Sequence, residues 1–146
     1  MGYIHRDLKP DNIMITLDPL EVRVIDFNRV NLSTTTTEGS VRGTPGYFPT
    51  RDNWKEGDPK WDIWALGAII LEADMILDGY YNCKTDLDAY AYATKHIKEP
   101  KTCKHLERII RKTVMTQKSS ALIGWEEMIN ELKEAKFKRQ GHDKID

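Results

Sequence analysis

Short apolar runs open the chain, and a long polar stretch follows them. The runs "NIMI" at 12–15 and "VRVID" at 22–26 flank "LDPLE", which contains a proline, and this pattern predicts a β-hairpin. Residues 28–46 are rich in Ser, Thr and Gly and show little periodicity. They predict a long loop, and loops of that length in compact domains are often functional.

The next stretch predicts a central helix over about 59–77. Asp58 is a suitable N-cap, Pro59 suits the first helical position, and Gly79 suits a C-terminal stop. The apolar residues between them cover nearly every face; they are Trp61, Ile63, Trp64, Leu66, Ile69, Ile70, Leu71, Ile76 and Leu77. A helix that is apolar all round belongs in the middle of a fold.

Three amphipathic helices are predicted after the central one. Thr85 can cap the first, with Asp88 placed as in a capping box, and Thr102 can cap the second. The apolar face of the second comprises Leu106, Ile109, Ile110 and Val114, and that of the third comprises Trp125, Met128, Ile129 and Leu132. We therefore expect a mainly α domain over 1–138, carrying a small β-hairpin, and a tail over 139–146.

Composition narrows the class of protein. The 146 residues are 40% hydrophobic and 31% charged, which is typical of a folded globular domain. The net charge of −1 indicates neither a nucleic-acid nor a membrane partner. The central apolar stretch contains Asp62, Glu72 and Asp74, which argues against a membrane span. Cys83 and Cys103 are too few for a disulfide scaffold, so we expect an intracellular, cytoplasmic protein.

One tight loop near the start of the chain concentrates polar chemistry. Within "YIHRDLKPDNIMI", Asp7, Lys9 and Asn12 supply a carboxylate, a cation and an amide oxygen. Phosphoryl transfer from ATP needs a proton acceptor for the attacking hydroxyl, a cation against the phosphate and oxygen ligands for Mg²⁺. A hairpin with strands of equal length brings its two ends together. We therefore expect Asp26 to return a second carboxylate beside Asn12, where the two can share a metal.

Four motifs in this order resemble those of the protein kinase family. "HRDLKPDN" at 5–12 resembles the catalytic loop, in the Lys-Pro form of the serine/threonine kinases. "DFN" at 26–28 resembles the start of the activation segment, placed here at 26–51, and "GTPGYFP" at 43–49 resembles its end. "WDIWALG" at 61–67 resembles the start of the central helix. Four ordered motifs around a fitting hairpin and helix are specific, whereas a single one would be weak.

The resemblance implies an enzyme that transfers the γ-phosphate of Mg-ATP to a Ser or Thr hydroxyl of a protein substrate. The implied catalytic and cofactor-binding residues are Asp7 as the base, Lys9 against the γ-phosphate, and Asn12 with Asp26 as Mg²⁺ ligands. The implied structural and regulatory residues are His5 and Phe27 in a hydrophobic stack, Arg6 as a phosphate partner, Thr44 on the catalytic loop, and Asp62 as a brace for that loop. Ser40 is the candidate phosphorylation site, although any single hydroxyl of "STTTTEGS" is more simply a solvated loop residue.

Two positions depart from the family pattern. Asn28 stands where D-F-G has its glycine, and Asn tolerates positive φ better than most residues. Arg51 stands where A-P-E has the acid of a buried ion pair, and the usual arginine partner aligns with Leu122. Losing one member of a buried pair costs about 3–5 kcal/mol, whereas replacing both can be nearly neutral. The double replacement is therefore interpreted as compensated.

The kinase motifs that form the ATP cradle do not precede loop 5–12 in this sequence. The resemblance therefore implies a protein-kinase-like C-lobe without the N-lobe, and we expect the chain to begin partway into a kinase domain. Alone, it is expected to have little or no activity and to expose apolar surface. Its expected partners are a protein substrate and a missing N-lobe or full kinase. The alternative function is a non-catalytic scaffold or regulatory binding module.

Overall fold

The structure, a computed structural model, describes residues 3–25, 31–32, 43–50, 58–75, 80–98 and 103–143. The strands are β1 (Tyr3–Ile4), β2 (Ile13–Leu17), β3 (Leu20–Val24) and β4 (Asn31–Leu32). The helices are α1 (Lys60–Met75), α2 (Asp86–His96), α3 (Lys104–Arg111) and α4 (Trp125–Asp143). Short 3₁₀ turns cover Pro10–Asn12, Tyr80–Asn82 and Ser119–Ala121. The described part is mainly helical, as the sequence predicts.

The predicted hairpin is confirmed, and one of its faces is entirely apolar. Strands β2 and β3 pair antiparallel, with Ile13 opposite Val24, Ile15 opposite Val22 and Leu17 opposite Leu20. Directly opposite residues, and alternate residues along a strand, share one face of a sheet. These six side chains therefore form one surface, which we name the apolar hairpin face. Most of it is exposed, and Leu17 reaches 84%.

A second, very short sheet includes one strand from the predicted loop 28–46. Strand β4 pairs antiparallel with β1, with Tyr3 opposite Leu32 and Ile4 opposite Asn31. The prediction of an unbroken loop is therefore wrong at 31–32, because a two-residue strand is too short to show periodicity. Four positions singled out from the sequence, Asp26, Phe27, Asn28 and Ser40, lie outside the described residues, as does Arg51.

Helix α1 is buried on most sides, as its all-round apolar pattern predicts. One apolar cluster joins α1 to α2 and to residues near Phe48; it includes Trp61, Trp64, Ala68, Leu71, Tyr80, Ala89 and Ala93. A second cluster joins α1 to α3 and α4; it includes Ile63, Leu106, Ile109, Ile123 and Met128. Leu122 packs against both clusters. No helix in the described ranges is long and apolar enough to cross a membrane.

The caps of the later helices agree with the sequence in one case and differ in another. Thr85 accepts a hydrogen bond from the Asp88 N–H, and the Asp88 carboxylate accepts from the Thr85 N–H, so the predicted capping box is confirmed. Thr102, which was predicted to cap α3, lies outside the described residues. Cys103 is the N-cap, and its side chain makes no capping hydrogen bond.

The apolar face predicted for α4 is also wrong. Met128 is buried, but Trp125, Ile129 and Leu132 are 45%, 47% and 37% exposed. The buried line instead runs through Met128, Glu131 and Ala135, which lie three to four residues apart on one side of the helix. The helix continues to Asp143, within the segment predicted as a tail.

Glu131 is an acid in an otherwise apolar interface between α3 and α4. Its side chain accepts hydrogen bonds from His105 Nδ1 at 2.7 Å and from Arg108 Nη1 at 2.6 Å. The bond from His105, and then that from Arg108, hold the pKa of Glu131 below its usual value of 4.5. These two partners explain how an acid can occupy a buried position that an apolar pattern would not predict.

Gly67→Ala is expected to lower the free energy of unfolding. A Cβ at Gly67 would overlap the Thr113 side chain of the chain segment after α3. Overpacking costs roughly 1–3 kcal/mol, which exceeds the roughly 1 kcal/mol that alanine gains over glycine by helix propensity. Urea denaturation measures the difference. The control is Ala91→Gly at an exposed position of α2, which reports propensity alone. Stabilisation by Gly67→Ala would show that propensity wins and that the helices are not in close contact.

Glu131→Gln is expected to flatten the acid side of the stability profile. Because the folded pKa of Glu131 is lowered, the unfolded chain binds more protons from 4.5 down to the folded pKa. Stability contributed by Glu131 is therefore present above pH 4.5 and is lost as the pH falls through that window. Denaturation at a series of pH values measures the slope. Glu134→Gln, exposed on the same helix, is the control, and equal slopes for the two variants would contradict the prediction.

Candidate active site

Helix α1 holds the backbone of loop 5–12 through one buried carboxylate. Asp62 lies in the first turn of α1 and is only 8% exposed. Its Oδ2 accepts the N–H of His5 at 2.8 Å, and its Oδ1 accepts the N–H of Arg6 at 3.1 Å. Arg6 has φ of 73°, a left-handed conformation that is uncommon for a residue with a Cβ. The contact with Asp62 stabilises this strained backbone.

Burial raises the pKa of Asp62, although the N–H groups of His5 and Arg6 oppose that rise. A carboxylate in such a position is stable only while both donors stay in place. Conversely, the two donors fix the direction of the chain as it enters Asp7. The helix and the loop are therefore held by the same pair of hydrogen bonds.

His5 links loop 5–12 to the far end of the hairpin. Its Nε2 lies 3.0 Å from the Ile25 carbonyl, and its Nδ1 accepts the Asp7 N–H at 3.2 Å. The neutral tautomer with its proton on Nε2 satisfies both contacts. The residue is 7% exposed, so its ring is part of the buried frame of the loop.

The Asp7 carboxylate is where loop 5–12 meets segment 43–50. Asp7 is 6% exposed, and its Oδ1 accepts both the N–H of Thr44 at 3.0 Å and the Thr44 hydroxyl at 2.6 Å. Its Oδ2 lies 3.9 Å from Lys9 Nζ. A carboxylate with one oxygen fixed by two donors and the other beside a cation is oriented for proton transfer or charge stabilisation.

Asn12 closes the loop and begins the hairpin. Its side-chain Nδ2 donates to the Asp7 backbone carbonyl at 2.7 Å, and its backbone carbonyl accepts the Ile25 N–H at 2.8 Å. The chain positions 12 and 25 are therefore adjacent, as the hairpin prediction requires. In the part of the chain that the structure describes, no group of three or more His, Cys, Asp or Glu side chains is arranged to hold a metal.

Segment 43–50 is held mainly by side chains. The Tyr47 hydroxyl donates to Glu72 Oε2 at 2.6 Å, and the Tyr80 hydroxyl donates to the Gly46 carbonyl at 2.6 Å. Phe48 stacks on Trp61 with ring centroids 5.3 Å apart. Gly46 has φ of 95°, and a Cβ there would overlap the Cys83 carbonyl, so glycine is required on both counts.

A cavity of about 250 Å³ is lined in part by Lys9 and Thr44, two residues that interact with Asp7. Its lining carries charges of both signs and two aromatic rings; the residues are Lys9, Pro10, Asp11, Thr44, Pro45, Tyr47, Glu72, Tyr80, Cys83 and Lys84. Burial raises the pKa of the Cys83 thiol to about 11, so this thiol is protonated and weakly nucleophilic at neutral pH. Burial, followed by the hydrogen bond to Glu72, raises the pKa of Tyr47.

The structure thus brings together His5, Arg6, Asp7, Lys9, Asn12, Thr44 and Asp62 from three separated parts of the chain. It also adds Tyr47, Glu72 and Tyr80, which the sequence interpretation did not select. The sequence could have indicated Glu72, because it is a charged residue in an apolar helix. It could not have indicated Tyr80, since the contact of Tyr80 with Gly46 depends on the tertiary fold.

Comparison with known proteins decides the family. The model of the protein kinase domain matches residues 1–78, which is more than half of the 146-residue chain. The chain belongs to the protein kinase family. This kinase-family chain is 34% identical, over 67% of its length, to the serine/threonine-protein kinase pkn3 of Myxococcus xanthus. It is 36% identical, over 68% of its length, to the serine/threonine-protein kinase PknA of Mycobacterium tuberculosis.

A further kinase relative is the serine/threonine-protein kinase STE20 of Kluyveromyces lactis, 41% identical over 49% of this chain. The chain spans only part of each relative: 19% of the pkn3 protein, 23% of the PknA protein and 7% of the STE20 protein. The similarity therefore concerns one portion of larger kinases.

Asp62→Asn is expected to loosen loop 5–12. An amide offers one acceptor oxygen where the loop requires two, so one backbone N–H loses its partner, at about 1–3 kcal/mol. Hydrogen exchange at the His5 and Arg6 amides measures the effect. The control is Asp58→Asn, because Asp58 accepts the Lys60 N–H at 2.9 Å and asparagine caps equally well. Unchanged exchange at both amides in Asp62→Asn would contradict the role assigned to Asp62.

Proposed function

We propose that this chain is the C-lobe portion of a serine/threonine protein kinase, within a domain over 1–138. The proposed reaction transfers the γ-phosphate of Mg-ATP to a Ser or Thr hydroxyl of a protein substrate, and the proposed location of this chain is intracellular and cytoplasmic. The family membership and the names of the similar kinases support this proposal. The observation that carries it is the double hydrogen bond from Thr44 to Asp7 Oδ1, where two kinase-like motifs meet at one carboxylate.

Asp7 is the proposed base. As the acceptor hydroxyl oxygen bonds to the γ-phosphorus, the bond from that phosphorus to the β-phosphate oxygen breaks and ADP leaves. Asp7 receives the hydroxyl proton. Thr44 orients the carboxylate through Oδ1, while Lys9, near Oδ2, is placed to meet the negative charge of the transferred phosphate.

Asn12 and Asp26 are the proposed Mg²⁺ ligands. Asn12 fits this role in its chemistry: Nδ2 is used by the Asp7 carbonyl, so the amide oxygen Oδ1 remains to meet a cation. When bound, the metal would neutralise phosphate charge. The adjacency of Asn12 and Ile25 supports the inclusion of Asp26, the next residue in the sequence.

The remaining sequence-derived roles stay as proposals. Asp62 and His5 are the proposed frame of loop 5–12, and Phe27 is proposed to pack on His5. Arg6 is a proposed partner for a phosphate at Ser40. The cavity is proposed to receive the part of the protein substrate that flanks the acceptor residue, since its lining includes Lys9 and Thr44, which interact with Asp7.

Asp7→Asn is expected to reduce phosphate transfer by at least about 10²-fold, the usual contribution of a general base. The protein is purified from its source cells by affinity capture, as the unsubstituted form and as the variant. Transfer from radiolabelled Mg-ATP to a mixed Ser/Thr peptide pool is then measured. Asp18→Asn, in the exposed hairpin turn, is the control and should leave transfer unchanged.

Two results would contradict the proposed function. Equal transfer by Asp7→Asn and Asp18→Asn would remove Asp7 from the reaction. Absence of Mg-ATP-dependent transfer by the unsubstituted protein, combined with a biological effect that survives Asp7→Asn, would favour the non-catalytic scaffold instead.

A further inference from the structure

The far end of segment 43–50 is attached to α2 by a short hydrogen bond. Thr50 Oγ1 donates a hydrogen bond to Asp86 Oδ1 at 2.6 Å. Asp86 is the first residue of α2 and is 5% exposed, whereas Thr50 is an exposed residue. A hydroxyl that donates to a buried carboxylate at this distance forms a strong, charge-assisted bond.

This contact lies where the sequence departs from the family pattern. The resemblance to the kinase pattern implies an acid after Thr50, where this sequence has Arg51, and aligns the arginine partner of that acid with Leu122. Leu122 packs against both apolar clusters, so its position has become part of the hydrophobic core. The ion pair that the pattern would place here cannot form from these residues.

The segment has little backbone bonding of its own to hold it. Among the described residues 43–50, one backbone-to-backbone hydrogen bond outside helices and strands is present. It runs from the Tyr47 N–H to the Thr44 carbonyl at 3.1 Å. Thr44 lies at one end, on Asp7, and Thr50 lies at the other end, on Asp86. The position of Thr44 therefore depends on contacts along the segment, and Thr50 supplies its terminal one.

We propose that Thr50 and Asp86 are positioning residues that replace the family's buried ion pair as the anchor of this segment. The bond between them fixes segment 43–50 on α2 and so keeps Thr44 on Asp7. Its effect on phosphate transfer rests on the proposed function, whereas its effect on the segment does not.

Hydrogen exchange tests the anchor in the 146-residue chain without nucleotide. Thr50→Val keeps the shape of the side chain and removes its donor. It is expected to lower the protection of the Thr44 and Tyr47 amides by about tenfold or more, the equivalent of one lost bond to a charged group. Thr50→Ser restores the donor and should restore protection. Amides of α3 serve as the internal reference.

Thr94→Val is the matched control, because Thr94 Oγ1 donates to the Tyr90 carbonyl at 2.8 Å, a hydrogen bond within α2. Unchanged protection in Thr50→Val, or an equal loss in Thr94→Val, would overturn the anchor. Asp86→Asn weakens the acceptor, so Thr50→Val should have a smaller effect in that background. If Asp86→Asn fails to fold, the Val and Ser variants at the exposed Thr50 decide the question alone.

The kinase assay separates the two proposals. Thr50→Val should lower kcat for phosphate transfer, leave KM for ATP unchanged, and be rescued by Thr50→Ser. A loss of protection with unchanged kcat would refute the positioning role. If the unsubstituted protein transfers no phosphate and its biological effect survives Asp7→Asn, the proposed function fails, and the exchange result still decides whether Thr50 and Asp86 anchor the segment.

Discussion

The buried carboxylate of Asp62 connects the apolar core around α1 to loop 5–12, which carries Asp7. Apolar clusters on two sides of α1 fix this helix, and Asp62 extends from it to two backbone N–H groups of loop 5–12. The charge is stable in that position only because the loop supplies those donors. A change in packing around α1 would therefore shift the backbone of His5 and Arg6, and with it Asp7, the next residue in the chain.

Segment 43–50 shows a different way of fixing a backbone. It has almost no regular structure, and its position follows from aromatic and hydroxyl side chains that reach α1, α2 and the Tyr80 turn. Each of these bonds is individually worth about 1 kcal/mol, more where a charge is involved. Such a segment is held firmly only when several contacts are present together, which makes its placement cooperative.

The sequence predicted features that local pattern determines and missed those that distant partners determine. The hairpin, the burial of α1 and the Thr85 capping box depend on neighbouring residues, and all were predictable. The buried side of α4 depends on His105 and Arg108, which allow Glu131 to be buried. Strand β4 depends on β1, about thirty residues earlier, and two residues carry no periodicity.

The residues of the candidate site also fall into two groups, those that a short stretch of sequence indicates and those that only the tertiary fold brings in. Residues within the quoted motifs, such as Asp7, Lys9 and Asn12, were selected because their side-chain chemistry is visible in a short stretch. Tyr80 and Asp86 were not selected, since nothing near them in the sequence indicates that they contact Gly46 and Thr50.

The hairpin has a further consequence for evolution of the chain. Its strands connect Asn12 to Ile25 in a fixed register, and side chains alternate between faces. A single residue added to one strand would therefore place the strand residues beyond it on the opposite face of the hairpin, unless a β-bulge accommodates the extra residue.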